Sequence, residues 1–168
     1  MGIDAEGVKA WLRRYGDLDA ELDFSYTRLD ELDETMISVK SPTLSDMPHG
    51  ARVIDKTERY IVRKERIQDE IQNLTDELIG LEAEIEETLK KLPKSDERNV
   101  LRLRYLDLKK WNDISFSLFG SKADFADREE SYLRRTTKLH SRALDNLAEI
   151  MKKDCPADIL QDDPQDCL

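Results

Sequence analysis

A seven-residue hydrophobic repeat is the strongest constraint this chain carries. Val53, Tyr60, Ile67, Leu74 and Leu81 recur every seven positions, and Ile71, Leu78, Ile85 and Leu92 form a companion series. An α-helix turns once in about 3.6 residues, so such a repeat keeps one narrow apolar stripe on a single face and packs it lengthwise against another helix. The spacing predicts a helix from about Ile54 to Leu92. A matching pattern precedes it: Val8, Trp11, Tyr15, Leu18, Leu22, Leu29, Leu32 and Met36, with Ser25 as a polar gap, predict a first helix from about Asp4 to Ser38. Gly16 costs ~1 kcal/mol against Ala in a helix interior, which suggests a slight kink there.

Between these helices stand Ser41-Pro42-Thr43-Leu44-Ser45-Asp46-Met47-Pro48-His49-Gly50. Two prolines and a glycine in ten residues cannot continue a helix. Residues 1–93 are therefore expected to form an acidic, antiparallel helical hairpin or coiled coil with a loop over 39–53. A loop of that length either reverses the chain or carries function, and its residues are compatible with both. Arg59, Arg63, Lys64 and Arg66 on the second helix are expected to pair with carboxylates of the acidic first helix. The core of a two-helix hairpin is thin. Leu89, Ile61 and Tyr26 are expected to remain uncovered, which points to a homodimer through the coiled coil.

Leu92-Pro93-Lys94-Ser95 ends the repeat, and Ser95 is expected to cap a new helix. Residues 94–153 then read as a small domain with three helices over 96–150. The first, Asp96 to about Leu106, turns Val100, Leu103 and Tyr105 inward. The second, about Lys109 to Phe119, contributes Trp111, Ile114, Leu118 and Phe119, and Gly120 is expected to end it with positive φ. The third starts near Asp127, with Glu130 three residues on as a capping partner, and runs past Leu147. Tyr132, Thr136, Leu139, Ala143 and Leu147 share one of its stripes; Arg128, Arg134, Arg135, Lys138 and Arg142 share another. The fold class expected for the whole chain is all-α.

Charge follows the same division. The net charge is −10, yet residues 94–153 hold 14 Lys/Arg against 10 Asp/Glu, while residues 1–93 hold 13 against 22. The tail, 154–168, has five aspartates and no base; it reads as an acidic, disordered segment. A positive region in an acidic chain hints at an anionic partner. A basic amphipathic helix behind a two-helix unit suits a helix-turn-helix that enters the DNA major groove, although such helices also lie on membranes or bind proteins.

The segments Glu97-Arg98-Asn99-Val100-Leu101-Arg102-Leu103-Arg104-Tyr105-Leu106, Trp111-Asn112-Asp113-Ile114 and His140-Ser141-Arg142-Ala143-Leu144 with Leu147 resemble region 4 of sigma factors. Phe119-Gly120, Tyr132-Leu133-Arg134-Arg135 and Lys138-Leu139-His140 look like phage regulators of the ArpU and RinA type, and Ser45-Asp46-Met47-Pro48-His49-Gly50 is similar to an element of that group. The resemblance covers residues 93–150 and, more weakly, 41–55. It implies a phage or prophage late-gene activator that binds double-stranded DNA through the helix at 127–147 and touches host RNA polymerase. The alternatives are a phage small-terminase-like packaging or assembly subunit, or a sigma-like protein-binding module. One departure stands out: residues 120–130 put a long insert, with Phe125 as a packing anchor, where the motif has a turn of three or four residues.

On this reading Arg134, Arg135 and Lys138 face the groove, with Arg142 on the same face and Ser131 and Tyr132 near its mouth. Lys109, Lys110, Lys122 and Arg128 are expected at phosphates. Trp111 is expected as a core anchor. His49 and His140 stand alone, outside any metal-ligand or nucleophile motif, and no phosphate-binding glycine loop occurs. Neither an enzyme nor a cofactor or metal site is expected. Cys155 and Cys167 read as reduced thiols, with a terminal disulfide or redox role as the alternative. No apolar run approaches a membrane span and the first residues lack a signal-peptide core, so the chain is expected in the cytoplasm.

Overall fold

The computed structural model describes residues 4–39 and 52–154, and all regular structure among them is helical: α1 (Ala5–Val39), α2 (Arg52–Lys90), α3 (Ser95–Tyr105), α4 (Trp111–Phe119) and α5 (Glu129–Asp154). The loop expected between α1 and α2, with His49, and the tail with Cys155 and Cys167 lie outside the described residues. No described helix is long and apolar enough to cross a membrane. The chain divides into two compact units, one of residues 1–16 with 83–168, the other Asp17–Glu82.

In the Asp17–Glu82 unit, Ile67, Ile71 and Leu81 of the heptad series are buried and Leu74 and Leu78 half-buried. Ser25 is fully buried, and its hydroxyl donates to Glu70 at 3.3 Å. The same carboxylate pairs with Arg28 at 3.0 Å. Further along, Asp33 accepts from Tyr60 at 2.7 Å and from Lys64 at 2.7 Å. These hydrogen bonds hold the Asp33 carboxyl below its usual range and the Lys64 ammonium above its own. Lys64 thus meets an α1 carboxylate, as its position suggested. Of the three apolar side chains expected to lie uncovered, Tyr26 and Ile61 are exposed, but Leu89, in the other unit, is completely buried.

In the other unit, Asp4 starts α1: its carboxylate accepts the Gly7 amide at 2.8 Å and its carbonyl the Val8 amide at 3.0 Å, a side-chain cap for otherwise unpaired donors. Val8 is buried as the spacing required, and Leu12, outside the expected stripe, is buried too. Gly16 serves close packing, and α1 continues through it. A Cβ there would stand 3.1 Å from Leu108 Cδ2. Leu108 itself has φ of 50°, the left-handed turn that a glycine more often supplies beyond a helix end.

Helices α3, α4 and α5 pack pairwise against one another. Their core is Val100, Leu101, Tyr105, Ile114, Phe119, Ala143, Leu144, Leu147 and Ala148, with Thr136 and His140 from α5 also inside. Several local expectations change. Lys94, not Ser95, is the cap position of α3; Ser95 is its first helical residue and no side chain caps it. Gly120 lies in the right-handed helical region, φ −59°, and not at positive φ. Its value is space, because a Cβ would fall 2.6 Å from the Phe116 carbonyl oxygen. Helix α5 begins at Glu129, two residues beyond Asp127, with the Arg128 carbonyl accepting the Tyr132 amide.

Candidate nucleic-acid interface on α5

Twenty-six residues of α5 carry two opposed faces. Thr136, His140, Ala143, Leu144 and Leu147 are buried, spaced by threes and fours, and so align on one side. Ser131, Arg134, Arg135, Lys138 and Arg142 are exposed. They line a groove of about 600 Å³ together with Lys94, Asp96, Phe119 and Leu139. Lys94, which sequence reasoning did not select, enters this set from the α2–α3 connection. Its position beside a proline at a helix start was the available hint.

The cations of the groove are held in different ways. Arg134 pairs with Glu130 one turn back at 2.5 Å, with both side chains mostly exposed. An exposed pair of this kind contributes little and leaves the guanidinium open to exchange for another anion. Arg135 lies over the Phe119 ring, 4.9 Å from its centroid, a contact that orients the charge without neutralising it. Lys138 and Arg142 make no ion pair among the described residues. Asp96 is the one carboxylate in the groove wall.

Other selected residues stand elsewhere. Tyr132 is not at the mouth of the groove. Its ring packs on Phe119 and Phe125, at 5.3 and 5.4 Å between centroids, and its hydroxyl donates to Asp124 at 2.8 Å. That bond holds the Asp124 carboxyl below its usual range and pushes the Tyr132 phenol up. Tyr132 is therefore a packing residue that ties the insert to α5. The insert is a chain of tight turns, Lys122 bonding back to Phe119, Phe125 to Lys122, and Arg128 to Phe125. Phe125 anchors it between Phe116 and Tyr132. Arg128 is exposed and pairs with Asp124 at 3.2 Å. Lys122 and Lys110 are exposed and Lys109 half-buried; none of the three lines the groove. The Lys109 carbonyl accepts Arg104 at 2.9 Å, and Lys110 is the cap position of α4.

Two buried polar clusters support α5 from behind. Glu97 is completely buried, accepting from Asn146 at 2.8 Å and pairing with Lys94 at 3.3 Å. It thereby joins the start of α3 to α5 and holds a groove lysine in place. His140 meets the Tyr105 hydroxyl at 3.0 Å and packs edge-on against Trp111 at 5.0 Å between centroids. Burial, with Arg104, Lys9 and Arg13 adding to it, pushes the His140 pKa down to about 4, and burial pushes the Tyr105 phenol up. Trp111 is half-buried, with Arg104 over its ring at 4.8 Å.

No protein-family model matches this chain, and neither a curated protein nor a solved structure matches it.

Proposed function

We propose that this chain is a non-enzymatic transcription regulator that binds double-stranded DNA through the basic face of α5. One observation carries the proposal: Ser131, Arg134, Arg135, Lys138 and Arg142, with Lys94, line one groove on the side of α5 away from its buried stripe. Four cations on α5, spread over two turns, offer bidentate guanidinium donors to guanine and point charges to phosphate. The buried stripe fixes the rotation of the helix, so the cations are presented together without a folding cost at binding. In this reading α4 and α5 are the two helices of a helix-turn-helix whose turn is enlarged to residues 120–128. Tyr132 and Phe125 brace the enlarged turn, and Lys109, Lys110, Lys122 and Arg128 are outlying phosphate contacts.

The likeness of residues 93–150 to sigma region 4 and to ArpU- and RinA-type regulators favours a phage or prophage late-gene activator acting in the cytoplasm with host RNA polymerase. Residues Asp17–Glu82 act in this reading as an antiparallel coiled coil. Its exposed Phe24, Tyr26, Ile61 and Ile79 are the surface by which two copies join.

Selection of sequences from a random duplex pool, followed by fluorescence anisotropy, tests the proposal. The full chain should select one preferred sequence, and its affinity should fall steeply with salt. The double variant Arg134→Ala/Arg135→Ala should lose that preference while keeping its helical circular-dichroism spectrum. Unchanged affinity in the double variant refutes the assignment. Light scattering should give a dimer; a large ring would move the function toward DNA packaging.

A further inference from the structure

A second cleft, of about 440 Å³, lies between α4 and the first turns of α5, and its chemistry is opposite to that of the basic groove. Its apolar surface comes from Phe116, Phe125 and Leu133. Phe116 is 65% exposed, unusual for so large an apolar side chain, and the Phe125 ring braces it edge-on at 5.8 Å between centroids. Asp113, Glu129 and Glu130 supply three carboxylates and the cleft has no cationic residue in its lining. Glu130 is shared with Arg134, whereas Asp113 and Glu129 make no ion pair among the described residues.

Ser115 adds an independent observation. It lines the cleft and is 2% exposed, and its hydroxyl is the one buried side-chain polar atom among the described residues that lacks a hydrogen-bond partner. A serine in a helix ordinarily satisfies its hydroxyl on the carbonyl four residues back, as Ser117 does on Asp113 in this same helix. A buried hydroxyl without a partner costs stability; its oxygen has almost no accessible surface as the side chain stands, so a ligand recovers that cost only when the side chain turns toward the cleft.

We propose that this cleft docks a basic, amphipathic segment of a partner protein. The segment places a bulky apolar side chain against Phe116 and Leu133, sets lysine or arginine against Asp113 and Glu129, and hydrogen-bonds Ser115 Oγ once the serine side chain turns toward it. Its surroundings select this occupant. Unpaired carboxylates repel phosphate, which argues against nucleic acid. The acidic tail 154–168 has the same sign as the cleft and does not complement it. The apolar centre with a charged rim is the general arrangement of a protein-recognition site. The inference does not depend on α5 binding DNA.

The test starts from a phage-displayed library of random dodecapeptides selected against the full chain and counter-selected against Phe116→Ser. Enriched peptides should share a bulky apolar residue flanked by Lys or Arg. A labelled winning peptide should bind the full chain by anisotropy, more weakly as salt is raised. Its affinity should fall by about tenfold or more for Phe116→Ser and for Glu129→Lys, a fully surface change that keeps the test independent of packing. Ser115→Ala should weaken peptide binding several-fold without lowering the melting temperature, since the hydroxyl has no internal partner to lose. Duplex DNA affinity should be unchanged in Phe116→Ser. No enrichment over the counter-selected variant, or an acidic consensus, overturns the proposal. So does self-association that Phe116→Ser abolishes in sedimentation velocity, which assigns the cleft to a second copy. A loss of DNA affinity in Phe116→Ser also overturns it, by making the cleft part of the DNA surface.

Discussion

His140 should make the unit that holds α3–α5 lose stability in mildly acidic solution, well before the carboxylates titrate. In the folded chain its imidazole titrates at about 4, whereas an unfolded histidine titrates near about 6.5. Between these values the unfolded chain binds a proton that the folded chain refuses. Stability therefore falls as pH drops through 6.5 toward 4, and is indifferent to this residue outside that window. Integrating the linkage from pH 7 to pH 5 gives a loss of about 2 kcal/mol. Asp33, Glu86 and Asp124, all held below the usual carboxylate range, contribute stability above about pH 4 that is lost only below it, so they do not mask the effect. Both tryptophans, Trp11 and Trp111, belong to the same compact unit as His140. Their fluorescence during urea denaturation at pH 7, 6 and 5 thus reads the right transition. His140→Gln should remove most of the pH dependence. An equal slope in the variant, or a native His140 ring that titrates near 6.5 by NMR, would refute the reasoning.

Gly120→Ala should cost about 1–3 kcal/mol, because the new Cβ would sit 2.6 Å from the Phe116 carbonyl oxygen and force the backbone apart; a neutral result in urea denaturation contradicts the close-approach account. Glu97→Ala removes the buried acceptor of Asn146 and should cost about 2 kcal/mol, again by denaturation, with an unaltered midpoint as the contrary outcome. Lys138→Ala and Arg142→Ala should each lower the slope of log affinity against log salt for duplex DNA by about 1; slopes equal to the parent's would take these two residues out of the interface.

The helices were legible because burial of one face imposes a period that survives in the residue order. The heptads of 53–92 and the threes and fours of 8–36 located α1 and α2 to within two residues or so. The opposition of Thr136, Ala143 and Leu147 to Arg134, Lys138 and Arg142 oriented α5, since residues three or four apart share a face of a helix, and residues two apart stand on opposite faces, wherever it lies. What only the tertiary structure decided are polar fates that depend on partners far along the chain. Glu97 is buried because Asn146, 49 positions later, meets it, and His140 is buried beside Tyr105, 35 positions earlier. Tyr132 packs against Phe119 and Phe125 because the insert folds back into tight turns, and Gly120 is needed for room beside Phe116 and not for a turn. Ser115 shows nothing in its order among neighbours that distinguishes it from Ser117, yet one hydroxyl is satisfied and the other is not. Periodicity is a local consequence of helix geometry, whereas a side chain's hydrogen-bond partner and solvent access are set by which surfaces the folded chain brings together.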